Sequence, residues 1–423
     1  MKSGGKIFTF GSYRKGVNGP GSDIDTLVVA PRHIDRVRDF FGELAPMLKN
    51  TPEVTELTEV REAAVPVIKM KFSGVDIDML FAKVEYKEVG KDLHNLLDDN
   101  ILRNCDEYTI RSLNGCRVTE MTLKFVERNI EAFQTTLRCI KLWSKARGLH
   151  SNVMGYLGGI GWAILVARVC KDNPMMEPNQ LLNRFFEFYR DYEWGPENPI
   201  TLCDIANNAN AVSFHIPQDL LYVPDTRAVM PIITPAFPSM NSTYNVSQTT
   251  KNVMLLEFEK AAMITGELVK NKGTSCITWK RLFKKFPFFR AYEHFIEVQV
   301  QSGNEDDHKA MIGFCENKIK HMLKKLETLD QKIGGILEFR PYPRGYRLQN
   351  EDFPYTDAYY IGVRIRGGVV PKKNMKIIDL TETRRLFFEG FQKAIDETSN
   401  VRVQQLVMEK QFDLRVDYKK REQ

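Results

Sequence analysis

Two aspartates, Asp23 and Asp25, flank Ile24 at the start of the apolar run TLVVA, and a glycine-rich loop precedes them. In an extended strand alternate side chains share a face, so the two carboxylates converge while Ile24 points the other way. Carboxylates held side by side repel and raise each other's pKa. A hard divalent cation removes that conflict, and Mg2+ is commonly held by one or two carboxylates together with substrate phosphates. The glycine turn offers backbone N–H groups that can approach phosphate oxygens closely.

In-line displacement at phosphorus with two metals about 3.5–4 Å apart needs a further acid. The stretch VDIDMLFA offers one, because Asp76 and Asp78 again stand two residues apart at the start of a candidate strand. By pattern alone, either can face the first pair across neighbouring strands. Each feature also has an ordinary explanation, since GSD and SGVD are common turn sequences and strand-end acids are often solvated. The combination is sharper: FGS, then an eleven-residue step from Ser12 to Asp23, then DxD before an apolar strand, then an acid on a later strand.

The elements that must position these acids are legible around them. Residues 7–85 read as β-rich, with KIFTF, DTLVVA, VPVIKMKF and VDIDMLFAKV as short runs broken by Gly and Pro. Between them, HIDRVRDFFGELAPMLK has apolar residues at helical spacing. From about 92 to 275 the chain turns helical: DLHNLLDDNILRN, FQTTLRCIKLWSKARG, GWAILVARVCKD, NQLLNRFFEFYRDYEW and TKNVMLLEFEKAAMITGELVKN are amphipathic helix candidates. A proline-rich loop separates the last two. From about 286 the order is β-α-β-β-α-β, running FIEVQVQ, DHKAMIGFCENKIKHMLKKLETL, GGILEFRPY, AYYIGVRIRG, TETRRLFFEGFQKAIDE and QQLVMEKQFDLR. That is the split βαβ plan of many small RNA-binding domains.

Composition bounds the partners. A chain of 423 residues is too long for one ordinary core, so two or three domains are expected. Hydrophobic content of 43% with 27% charged residues describes a soluble globular protein and excludes bulk disorder. A net charge of +6 suits a polyanionic partner. The seven cysteines form no CxxC pair, which argues against a disulfide framework or zinc site and for a reducing compartment. No signal peptide is legible. The longest uncharged run, Gly148–Ala167, carries five glycines and reads as a loop entering a buried helix, not a membrane span.

These residues resemble a known family. FTFGSYRKGVNGPGSDIDTLVV, VPVIKMKFSGVDIDMLFA, SLNGCRVTE, IKLWSKARG, GGIGWAILVARVC, LNRFF and MPIITPAFPSMNSTYNV follow, in order, the pattern of the eukaryotic nuclear poly(A) polymerases within the polymerase β-type nucleotidyltransferase superfamily. The last third is similar only through domain order and FFRAYEHFIEV. The resemblance implies an α+β, multidomain fold with a nucleotidyltransferase palm (mixed β-sheet with helices) over 1–90. A helical central domain over 91–278 and a C-terminal RNA-recognition-like domain over 279–423 complete it. It implies template-independent addition of AMP from ATP to an RNA 3′ end, with Mg2+ or Mn2+ in a two-metal site. It further implies a nuclear, monomeric protein without membrane attachment that works beside the cleavage and polyadenylation machinery.

Carried over by position, Asp23, Asp25 and Asp78 become the catalytic metal ligands, with Asp78 nearest the attacking oxygen and Asp76 a bystander. Phe10, Gly11, Ser12, Val65, Lys141, His150, Asn152, Gly158 and Gly159 become the ATP contacts, and Lys69 and Asn114 touch the RNA end. Without the resemblance these residues read otherwise. Lys141 is a solvated helical side chain, SLNG a turn, Asn152 a helix cap, Gly158 and Gly159 packing glycines and Val65 core. Lys69 and Lys71 become the wet face of a half-buried strand, and Lys280–Arg290 a domain junction. Two departures bear on function. The family commonly has Tyr where His150 stands, and only six residues precede Ile7, where the family carries a longer segment. A shortened N-terminus is expected to weaken domain closure and activity. Two alternatives therefore stay open: a catalytically impaired paralogue that binds RNA or processing factors, and a terminal nucleotidyltransferase of another base specificity.

Overall fold

The computed structural model describes residues 4–90, 93–205, 211–270, 278–332, 334–335, 337–365, 385, 389 and 412–420. The chain divides into two compact units. The first comprises residues 1–141 and 159–242, the second 142–158 and 243–423.

The first unit is built on a five-stranded sheet of order β1-β2-β5-β4-β3, from β1 (Lys6–Thr9), β2 (Ile24–Ala30), β3 (Val54–Val60), β4 (Val67–Phe72) and β5 (Val75–Lys83). β2 pairs with β5 in parallel and every other neighbour is antiparallel. Both faces of the sheet are covered, which is why its central strands read as continuous apolar runs rather than alternating ones. Leu27, Val29 and Ala82 face a core shared with Ile110, Leu113 and Cys116 of α3 (Glu107–Phe125). Ile68, Met70, Met79 and Phe81 face the opposite core. There they meet Phe40 and Phe41 from the helical stretch Arg36–Leu44, which continues as α2 (Ala45–Lys49). Asp35 caps that stretch by accepting from the Val37 and Arg38 N–H groups at 2.9 Å. The expected helix is therefore present, but its first nine residues run as a π-helix. The wider turn lets two consecutive residues, Phe40 and Phe41, both reach the core, where their rings meet edge-on at 4.9 Å.

Strand β3 and helix α3 have no counterpart among the expected elements. SLNG, read alone as a turn, lies inside α3. Gly115 permits this at one crowded point, because a Cβ there would stand 2.8 Å from the Phe10 ring. Among the described residues 93–104 the expected helix DLHNLLDDNILRN is absent apart from one 3-10 turn at Asp99–Leu102. Local side chains take its backbone groups instead: Asn95 accepts from the Leu97 N–H at 2.7 Å and Asp98 from the Asn100 N–H at 3.0 Å. The buried Arg117 guanidinium donates to the Leu96 and Asp98 carbonyls and to the Asp99 carboxylate, holding the segment extended. The unit also contains the short α1 (Gly11–Arg14), most of α4 (Ile130–Arg147), α5 (Gly159–Asp172), α6 (Pro178–Asp191) and α7 (Ala211–Phe214). α5 is buried almost all round, from Gly161 to Cys170, as the run Gly148–Ala167 led one to expect. No helix among the described residues is long and apolar enough to cross a membrane.

The second unit carries α8 (Gln248–Lys270), the short α9 (Trp279–Leu282) and α10 (Phe288–Ala291), and an antiparallel sheet of order β10-β6-β9-β7. Its strands are β6 (His294–Ser302), β7 (Leu337–Pro341), β9 (Tyr355–Ile365) and β10 (Phe412–Lys420), with the extra short β8 (Tyr346–Leu348) on β9. α11 (Glu305–Lys332) lays Met311, Cys315, Ile319, Met322 and Leu326 into the core. Of the expected helix TETRRLFFEGFQKAIDE only Arg385 and Glu389 are among the described residues, both of them helical; the start of the last expected strand lies outside the described residues, and that strand is seen from Phe412 onward. Cys105, Cys116, Cys139, Cys170, Cys203 and Cys315 are free thiols.

One buried charge cluster ties this unit together. Glu257 of α8, 1% exposed, accepts from Arg147 Nε at 2.6 Å and from Arg340 Nη1 at 3.1 Å. These partners hold its carboxyl below the usual range against the opposing effect of burial. Removing one member of such a cluster leaves the other charges buried and unpaired, at a cost of about 3–5 kcal/mol. Glu257→Gln is therefore expected to lower the denaturant midpoint of the second unit at neutral pH. The wild type should itself lose stability as pH falls below about 4.5, the ordinary Glu range, through the depressed folded value. An unchanged midpoint would mean that the cluster contributes nothing to stability.

Candidate active site

The site starts from strand register. Parallel pairing sets Asp25 of β2 opposite Asp78 of β5, and antiparallel pairing sets Lys69 of β4 on the other side of Asp78. Asp23 lies just before β2. One carboxylate oxygen from each of Asp23, Asp25 and Asp78 falls within 4.8 Å of the others. Asp76 stays out of this group: exposed at the start of β5, it lies 3.9 Å from the Lys71 ammonium, which also bonds Glu56.

Asp23 and Asp25 line a cavity of about 430 Å3, and Asp78 stands beside them outside its lining. Of the residues singled out in the sequence, Phe10, Gly11, Ser12, Asp23, Asp25, Asn114, Lys141 and Gly159 line it. Gly11 sits at φ +64°, and a Cβ there would collide with Asp25 Oδ2 at 1.9 Å, so only glycine allows the turn to approach the carboxylate. Lys141 reaches the Val17 carbonyl at 2.9 Å. Asn114 is buried, with Nδ2 3.3 Å from Met240 Sδ and Oδ1 without a hydrogen-bond partner. Lys69 donates to Asp78 Oδ2. Val65 is half-buried in the bend before β4 and does not line the cavity. His150, Asn152 and Gly158 belong to the second unit, where His150 lines a separate cavity. Asn152 Oδ1 is buried without a partner, and the Asn152 carbonyl accepts from Asn245 Nδ2 at 3.1 Å.

The structure adds two residues that the sequence reading missed. Lys15, 5% exposed, lines the same cavity and donates from Nζ to the Gly11 carbonyl at 3.2 Å and to Thr119 Oγ1 at 3.1 Å. Thr119 Oγ1 also accepts from the Gly11 N–H at 3.2 Å, so Thr119 and Lys15 together pin the glycine turn to α3. The available signal was a lysine in GSYRKG, next to an arginine and before a glycine, where surface exposure is the ordinary expectation.

Charge is unbalanced here. Burial, then Asp23 and then Asp78 push the Asp25 carboxyl up to about 6, against the pull of Lys15 and Lys69. Burial pushes the Lys15 ammonium down to about 8, with Asp25 opposing and Lys141 assisting. Three convergent carboxylates form an all-oxygen, hard donor set, and their mutual repulsion is the strain that a divalent cation relieves. The residues present therefore fit such an ion.

Lys15 supplies a pH test. Its folded pKa lies below the ordinary lysine value, so between about 8 and 10.5 the unfolded chain binds the proton that the folded chain has released, and stability rises with pH. The full window amounts to roughly 3 kcal/mol. Thermal melts at pH 7 and pH 10 should show that Lys15→Met lacks this gain. Identical pH responses of the two proteins would contradict the buried, depressed ammonium.

Three family models match in order: the poly(A) polymerase nucleotidyltransferase domain over residues 1–126, the poly(A) polymerase central domain over 132–285 and the poly(A) polymerase predicted RNA binding domain over 287–353. A poly(A) polymerase of Dictyostelium discoideum is 43% identical over 384 residues, covering 89% of this chain and 45% of that protein. Nuclear poly(A) polymerase 1 of Arabidopsis thaliana is 43% identical over 364 residues, covering 86% of this chain and 49% of that protein. The chain thus spans about half the length of the curated relatives it matches. A solved structure of the Cid1 RNA terminal uridylyl transferase aligns with a TM-score of 0.46 at 15% identity, covering 67% of this chain and 86% of that one. The ordered family matches and the high identity over most of its length identify this chain as a member of the poly(A) polymerase family, with that family's α+β multidomain nucleotidyltransferase architecture.

Proposed function

We propose that this protein adds AMP from ATP to the 3′ hydroxyl of RNA without a template, as a polyadenylating enzyme of the nucleus. The observation that carries the reading is the convergence of one carboxylate oxygen each from Asp23, Asp25 and Asp78, within 4.8 Å of one another, with Asp23 and Asp25 on the wall of a cavity of about 430 Å3. A divalent cation, Mg2+ or Mn2+, held by these three carboxylates would offset the triphosphate charge and favour the deprotonated 3′ oxygen.

The chain's own residues bind and orient. The Gly11 turn, fixed by Thr119 and Lys15, presents Ser12 to the triphosphate, and the Lys141 ammonium acts on phosphate as a point charge. Asp78 lies nearest the attacking oxygen, and Lys69 and Asn114 hold the RNA end. The nucleotide contacts of Val65, His150, Asn152 and Gly158 rest on the family resemblance, as does the division into a palm over 1–90, a central domain over 91–278 and an RNA-recognition-like domain over 279–423. The nuclear reading is supported by the name of the Arabidopsis thaliana relative, nuclear poly(A) polymerase 1, and work beside the cleavage and polyadenylation machinery follows from the same reading.

The test is extension of oligo(A) by the purified chain with Mg2+ or Mn2+, each of the four nucleotides being supplied separately. ATP incorporation is expected to exceed that of the other three. Asp25→Ala and Asp78→Asn should each reduce it by at least about a hundredfold, the scale seen when a group that stabilises developing charge is removed. Both should also weaken Mn2+ binding measured by calorimetry. Extension that survives either substitution, or that prefers UTP, would refute the assignment.

A further inference from the structure

Lys15 carries a buried charge with no counterion in contact. Its side chain is 5% exposed, and both of its hydrogen bonds end on neutral oxygens, the Gly11 carbonyl at 3.2 Å and Thr119 Oγ1 at 3.1 Å. It forms no ion pair among the described residues, although a buried ammonium ordinarily has a carboxylate partner to offset its loss of water. The balancing charge acts through space instead. Burial lowers the Lys15 pKa, and Asp25 leads the groups that oppose the fall. Burial likewise raises the Asp25 pKa, and Lys15 leads the groups that oppose the rise. Lys69 differs in being exposed and in donating directly to Asp78.

The cavity therefore makes two opposite demands. Asp23 and Asp25 on its wall call for a cation, whereas Lys15 and Lys141 on the same wall repel each other and call for an anion. A divalent ion alone relieves the carboxylates but meets the repulsion of Lys15. A triphosphate alone relieves the lysines but meets the repulsion of the carboxylates. Only the two together satisfy the whole wall. We propose that Lys15 is a resident counter-cation that holds down the affinity of the carboxylates for a free divalent ion and raises the affinity of the cavity for a triphosphate, so that the ion is held firmly only beside the nucleotide. Lys15 acts on the ion through the field at Asp25 and needs no contact with it. This role is separate from pinning the Gly11 turn, which depends on its N–H donors and not on its charge. The proposal rests on the adenylyl-transfer reading in taking a nucleoside triphosphate and a divalent ion as the ligands of this site.

The test compares the full chain with two neutral variants, Lys15→Met and Lys15→Gln, and with Lys15→Arg, which keeps the charge. Calorimetry at pH 7 and low salt follows two separate titrations, Mn2+ without nucleotide and ATP without metal. The neutral variants should bind Mn2+ about tenfold more tightly and metal-free ATP about tenfold more weakly, the order expected of one unit charge acting through a partly wet protein interior. The opposite signs are the diagnostic feature, because damage to the turn alone weakens both ligands. Lys15→Arg should return both affinities toward those of the wild type. Mn2+ affinity that is unchanged or weaker in the neutral variants would overturn the proposal, as would equal tightening in Lys15→Arg. Weakening of both ligands would assign Lys15 to the turn alone and overturn it equally. Primer extension by a wild type whose Mn2+ affinity is indifferent to Lys15 would defeat this proposal and leave the adenylyl-transfer reading intact. The predicted opposite shifts in a protein that extends no primer would do the reverse.

Discussion

The parallel pairing of β2 with β5 brings Asp25 and Asp78 side by side, an arrangement that charge alone opposes. What enforces it is apolar burial farther along the same two strands. Leu27, Val29, Met79 and Phe81 are all buried, each contributing roughly 1.5–3 kcal/mol. Against this, the upward shift of the Asp25 carboxyl to about 6 corresponds to at most about 3 kcal/mol, and to less once solvent screening at a half-buried group is allowed for. Burial wins, and the sheet holds together carboxylates that would otherwise separate. A one-residue slip would turn the buried side chains to the wrong faces, so the register that fills both cores also fixes the acids.

The surroundings of the triad follow from that placement. The glycine turn approaches Asp25 only because residue 11 has no Cβ, and the turn is held from behind by α3 through Thr119 and the buried Lys15. A buried ammonium beside a carboxylate cluster offsets part of the repulsion, and its own depressed pKa reports the cost of doing so out of water. The first unit thus couples a strand register, a turn and a helix face into one polar cavity. The second unit places its buried charge differently, with Glu257 between Arg147 and Arg340 fully within the core, where it serves packing.

Legibility differed from element to element for physical reasons. Strands β2, β4 and β5 were readable because short β-branched and aromatic runs bounded by Gly and Pro have few other uses. Helix α3 was not readable, because its buried face carries Asn114, Arg117, Thr119 and Thr122 among the apolar residues, which erases the amphipathic period. Residues 92–104 misled in the opposite direction. Their apolar spacing is helical, but Asn95, Asp98 and the distant Arg117 claim the backbone groups that a helix would use. Lys15 was invisible because a lysine's burial depends on neighbours more than a hundred residues away in the chain.

By itself, the sequence determined the donor chemistry on offer: carboxylates two residues apart beside an apolar strand, after a glycine turn, form an oxygen donor set that a divalent cation suits. It also determined the family pattern, which is written in contiguous motifs. Which of Asp76 and Asp78 joins the first pair was decided by the tertiary structure. Strand parity puts both on the same face, and only the pairing of β5 with β2 and β4 turns one toward Asp25 and leaves the other beside Lys71. The buried partners of the glycine turn were decided in the same way, because a hydrogen bond between residues far apart in the chain has no local signature.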